Sequence, residues 1–134
     1  MTTDRSRVLR LQHVSLPIPG NPESLEAARH FYNEIIGLEE IARPPTLPGV
    51  GIWYAVGDQE LHLFAEPTGV AANPQSRRHP CFEVDDVDGL RAQLVAAGVT
   101  TRDHDGEIRG RPRFFAVDPF ANTLEFVHFD ANHW

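Results

Sequence analysis

Apolar and polar positions run in one order along this chain, and then in the same order again. Period-two alternation over about residues 10–17 predicts a strand. Asn21-Pro22-Glu23 then opens a helix. The Asn side chain caps, Pro suits the first helical position, and Glu complements the positive end of the dipole. Leu25, Ala28, Tyr32, Ile35 and Ile36 give a 3.6-residue apolar stripe, and Gly37 is the expected left-handed stop. A short strand near 38–42 precedes Arg43-Pro44-Pro45-Thr46-Leu47-Pro48-Gly49, which fits no regular element. Strands at about 50–56 and 60–65 flank a tight turn at Gly57-Asp58. Residues 67–78 read as a linker. The series then restarts with a strand from His79 and a helix capped by Asp85-Asp86. That helix carries Val87, Leu90, Leu94 and Ala97 and stops at Gly98. Strands near 99–103, 113–117 and 123–129 follow, the last two joined by Asp118-Pro119-Phe120-Ala121-Asn122.

The order β-α-β-β-β thus occurs twice within one domain of 134 residues, as module one (about 10–66) and module two (about 79–129). This predicts an α+β fold in which two βαβββ modules form a cup-shaped mixed sheet. His13 and His79 hold equivalent places 66 residues apart, and His62 and Glu125 do so 63 residues apart. A pseudo-two-fold between modules would bring all four to one centre. Strand alternation sets each of them opposite apolar neighbours that pack under a helix, which leaves the four on the concave face. Three imidazoles and one carboxylate suit a divalent transition metal: Zn, Ni, Fe(II), Co or Mn. Calcium or magnesium would require more oxygen ligands. By the same alternation Ser15 shares a face with His13, Phe64 with His62, and Cys81 with His79. Counting back across the turns puts Trp53 on the face of His62 and Phe114 on the face of Glu125, where the two aromatics would wall a substrate pocket.

Composition narrows the function without naming it. The net charge of −7 argues against nucleic-acid and membrane-surface roles. No apolar run approaches the length needed to span a bilayer. The polar N-terminus has no signal core, and the lone Cys81 pairs with no other cysteine in the chain, which fits a reducing cytoplasm. Arg109, Arg111 and Arg113 read as a solvated loop, and His30 with Glu34 as a surface pair on the helix.

Three stretches carry a family resemblance: Leu11-Gln12-His13-Val14, His79-Pro80-Cys81-Phe82-Glu83-Val84-Asp85-Asp86-Val87, and Asp118-Pro119-Phe120-Ala121-Asn122-Thr123-Leu124-Glu125-Phe126. Over roughly 10–129 the chain resembles the vicinal oxygen chelate superfamily of glyoxalases, bleomycin-resistance proteins and extradiol dioxygenases. In the third stretch Ala121 stands where the family usually has Gly, and His62 stands where glyoxalase I has Glu. The resemblance implies a homodimer and a small substrate whose vicinal oxygens meet a metal held by His13, His62, His79 and Glu125. Glu125 would double as general base. It also implies glyoxalase-like proton transfer, isomerisation or C–S lyase chemistry. The alternatives are an Fe(II) extradiol-type dioxygenase, which uses two His and one carboxylate, and a metal-free drug or metabolite binder.

Overall fold

Each half of the chain builds one four-stranded mixed sheet with its own helix, in the order the apolar periodicities predict. A computed structural model describes residues 5–66 and 76–130. The first half holds β1 (His13–Ile18), α1 (Pro22–Arg29), β2 (Glu39–Ile41), β3 (Gly51–Val56) and β4 (Gln59–Ala65). The second holds β5 (Cys81–Glu83), α2 (Val87–Ala96), β6 (Thr101–Asp103), β7 (Arg113–Val117) and β8 (Thr123–Val127). The sheet orders are β1-β4-β3-β2 and β5-β8-β7-β6, with the first pair parallel in each sheet. This is the α+β arrangement of two βαβββ units. The expected linker falls mostly on 67–75, outside the described residues.

Local chemistry explains the boundaries. Asn21 accepts from the Ser24 amide at 2.8 Å, and Asp86 accepts from the Gly89 amide at 2.9 Å, so each helix begins at its expected cap. Gly37 and Gly98 adopt φ of 84° and 80°, a region costly to residues with a Cβ. The first helix differs from expectation in one respect. Its 3.6-residue repeat does not persist to Ile36, because His30–Ile35 forms a π-helical turn, marked by the Ile36 amide donating to the Phe31 carbonyl at 2.9 Å. β1 starts at His13 and β5 at Cys81, both later than the alternation suggests.

One core joins the two halves. Leu16, Ile18, Ile52, Tyr54, Leu61 and Leu63 of module one share it with Leu94, Phe114, Ala116, Leu124 and Phe126 of module two. A buried polar hub crosses the same junction. The Tyr32 hydroxyl donates to Asp118 Oδ2 at 2.6 Å. Asp118 Oδ1 accepts from the Phe120 and Asn122 amides at 2.8 Å each. Asn122 Nδ2 donates to Asp118 Oδ2 at 2.8 Å and to the Pro17 carbonyl in β1 at 3.0 Å. The Asp-Pro turn is therefore a structural clasp between modules, and its carboxylate has its partners within the fold.

Ala121 in that turn has φ of 68°. Left-handed geometry strains a β-carbon by about 1–2 kcal/mol, against about 0.5–1 kcal/mol of extra chain entropy for glycine. Ala121→Gly should therefore stabilise the fold by about 0.5–1 kcal/mol, read as a higher urea midpoint at unchanged slope.

Two buried tyrosines make stability depend on alkaline pH. Burial, then the Asp118 charge, pushes the Tyr32 phenol well above its ordinary 10.0. Burial, then Glu40, also raises Tyr54, whose hydroxyl is buried without a hydrogen-bond partner. A folded value above the unfolded one leaves stability whole below the unfolded value and erodes it as pH rises past it. The urea midpoint should hold to about pH 8.5 and then fall, with the Cys81 thiol contributing from near its ordinary 9.0 and the tyrosines from near 10.0. Tyr54→Phe should flatten the fall and add about 1 kcal/mol at neutral pH, since it removes an unpaired buried hydroxyl.

Candidate functional site

The face of each sheet opposite the shared core carries one pair of candidate ligands. In module one, register sets Ser15 and Trp53 on either side of His62, across β1 and β3. Three rings form a stack. Trp53 lies on His62 with centroids 3.8 Å apart and 4° between planes, and His62 lies on His13 at 4.1 Å and 21°. The His62 ring is buried and its Nε2 donates to Glu60 Oε1 at 2.8 Å. That bond holds the Glu60 carboxyl below its ordinary range. His13 is exposed, and its Nδ1 donates to Gln12 Oε1 at 2.7 Å, which leaves Nε2 as the free ring nitrogen.

In module two, His79 Nδ1 donates to the Arg77 carbonyl at 2.8 Å, so Nε2 carries a lone pair. That Nε2 stands 2.8 Å from Glu125 Oε1. Two acceptors at such a distance need a cation or a proton between them. A backbone carbonyl on the far ring nitrogen is also how metal-binding histidines are commonly oriented. Glu125 Oε2 accepts from Arg113 Nη1 at 3.1 Å, and Arg113 Nη2 donates to the Gly106 carbonyl at 2.6 Å. The donor chemistry of both pairs fits a divalent transition metal.

The pairs do not meet within one chain. Among the described residues no three His, Cys, Asp or Glu side chains are grouped to hold a metal ion. A cleft of about 490 Å³ runs between β1 and the start of module two, lined by Ser15 and His79, but His13, His62 and Glu125 do not line it. Phe64 is 41% exposed beneath Arg43, 5.5 Å from its ring. Cys81 is an exposed residue that lies across from Glu125 in register. Partial burial of its thiol and the Glu125 charge push it up to about 12, so it stays protonated near neutral pH.

One expected pocket residue is misplaced. Phe114 is 1% exposed and packs on Phe126 in the core, whereas Phe115 stands opposite Glu125 and edge-on to His79 with centroids 5.2 Å apart. The reason is parity. The β3–β4 turn has two residues, while the β7–β8 turn spans 118–122, an odd number, so the facing positions shift by one. Arg113 also departs from the solvated-loop expectation, its side chain being only 13% exposed. It and Glu60 are site residues that sequence reasoning passed over. Glu60 was within reach of it, two positions before His62 and so on the same face. His30 and Glu34 do form a surface pair, at 2.7 Å.

No helix among the described residues is long and apolar enough to cross a membrane. The chain resembles several solved structures. A glyoxalase family protein from Bacillus anthracis is 34% identical, with 95% of this chain and 100% of that one covered and a TM-score of 0.82. Lactoylglutathione lyase from Agrobacterium tumefaciens is 25% identical over 92% and 96% of the two chains, with a TM-score of 0.67. The fosfomycin resistance protein FosX from Listeria monocytogenes shares the fold at 16% identity, covering 93% and 97% with a TM-score of 0.71. No functionally curated protein matches the chain. The model of the Glyoxalase/Bleomycin resistance protein/Dioxygenase superfamily matches residues 10–126, and the chain belongs to that superfamily.

Proposed function

We propose that the chain is a divalent-metal-dependent enzyme of the glyoxalase type, acting on a small substrate with vicinal oxygens, in a homodimer whose centres are each shared by two chains. The observation that carries this reading is the pair of half-sites. His13 keeps one ring nitrogen free and His79 Nε2 already lies 2.8 Å from Glu125 Oε1, yet among the described residues the two halves do not group within one chain. A second copy would supply the missing half of each centre. The likeness to lactoylglutathione lyase supports C–S lyase, isomerase or proton-transfer chemistry.

His13, His79 and Glu125 would hold the ion, with His62 as a fourth ligand in the full form of this reading. A divalent cation supplies Lewis-acid polarisation of the substrate oxygens and stabilises negative charge that develops on them. Glu125 would double as general base for the substrate proton, with Arg113 holding its Oε2 and His79 facing its Oε1. Trp53, Phe64, Phe115, Ser15 and Cys81 would border the substrate, and the apolar rings would limit water there.

His62 favours a second reading. With its Nε2 bonded to Glu60 and its faces covered by Trp53 and His13, it acts as a support, which leaves two histidines and one carboxylate. That set suits an Fe(II) dioxygenase of the extradiol type. Metal analysis of protein purified without chelator tests both readings, with one ion per chain expected. Turnover of glutathione hemithioacetals with Ni, Co or Zn selects the first. Redox-active iron with catechol-dependent oxygen uptake selects the second. Protein that takes up no metal at all is a binder, and both readings fall.

A further inference from the structure

The two oxygens of Glu125 are held differently. Oε1 lies 2.8 Å from His79 Nε2, a candidate metal ligand, while Oε2 is bound by Arg113, which also grips the Gly106 carbonyl in the loop before β7. Arg113 and Glu125 are 13% and 12% exposed, so salt screens their attraction little. The register makes the contact intrinsic to the sheet. Phe115 stands opposite Glu125, which puts Arg113 on the same face at the diagonal position.

We propose that Arg113 is a positioning residue that restricts Glu125 to one metal-facing oxygen and ties the 104–112 loop to the centre. This rests on the metal-site reading above. A carboxylate free to turn can offer a dication both oxygens, which tightens binding and raises the coordination number. A guanidinium on Oε2 prevents this and repels the dication as well. Arg113 thus makes the ion less tightly held and leaves a coordination position for the oxygens of the substrate. It acts through Glu125 and reports the loop's position to it through Gly106.

Co(II) alone, titrated into the full chain and its Arg113→Gln and Arg113→Lys variants, tests this by affinity and visible absorption. Arg113→Gln should bind Co(II) roughly tenfold more tightly, with a weaker visible band as a further oxygen joins the ion. Arg113→Lys keeps the charge but lacks the fork that spans both partners, so its affinity should stay within roughly threefold of wild type. Amide exchange across 106–112 should quicken in both variants. Co(II) binding by Arg113→Gln that is equal or weaker, with an unchanged spectrum, overturns the proposal and leaves Arg113 a structural residue. If that variant does not fold, the lysine variant decides, and unchanged loop exchange overturns the proposal. A wild-type chain that binds no Co(II) removes the metal-site reading itself, and this inference goes with it.

Discussion

Asp118→Ala should cost about 3–5 kcal/mol of stability, a large part of what a domain of this size possesses. Asp118 is 4% exposed and accepts from Tyr32, Asn122 Nδ2 and two backbone amides. Alanine would leave a buried phenol and several amides unpaired at about 1–3 kcal/mol each. Burial opposes the native charge and pushes the Asp118 carboxyl above its ordinary value, so part of the loss is returned when the charge is removed. Asp118→Asn, which keeps one acceptor oxygen, should lose only about 1–2 kcal/mol. The alanine variant should also melt less cooperatively, with a lower urea slope, because Tyr32 and Asn122 link module one to module two through this carboxylate. Equal losses for the two substitutions, at an unchanged slope, would show that the network contributes nothing beyond turn geometry.

The same clasp separates what the sequence makes legible from what it hides. Element order was readable because the apolar period alternates between two and 3.6 and because Asn21, Asp86, Gly37 and Gly98 punctuate it. The duplicated placing of His13, His62, His79 and Glu125 was readable for the same reason, being a matter of spacing. Facing was not readable across the Asp118–Asn122 turn. Its five residues are held by a side-chain network reaching Tyr32, which lies 86 residues from Asp118 in sequence. Phe114 consequently exchanged roles with Phe115. The role of Arg113 was hidden likewise, since a diagonal contact exists only once that register is known. Among the described residues the two half-sites do not group within one chain, and no periodicity within the chain encodes how copies would assemble.

Mixing two metal-dead variants should restore metal binding, and this is the largest effect the shared-centre reading predicts. His13→Ala and His79→Ala each remove one ligand of the proposed set, and loss of a first ligand should abolish tight binding in either homodimer. In a dimer whose centres span two chains, the mixed species has one centre with both lesions and one with neither. Co-expression at equal levels makes about half the dimers mixed, so the preparation should bind about a quarter of the wild-type metal. Centres contained within single chains would give no recovery, because every chain carries its own lesion. His62→Ala adds a second division. If the ring only supports His13 through their 4.1 Å stack, this variant should retain metal with affinity weakened about 10–100-fold, as when an outer-shell partner is lost. If His62 ligates directly, it should behave like His13→Ala, and crossing it with His79→Ala should again recover about a quarter. The pattern of recovery across these crosses thus assigns each ligand to its half-site and identifies which imidazoles touch the ion.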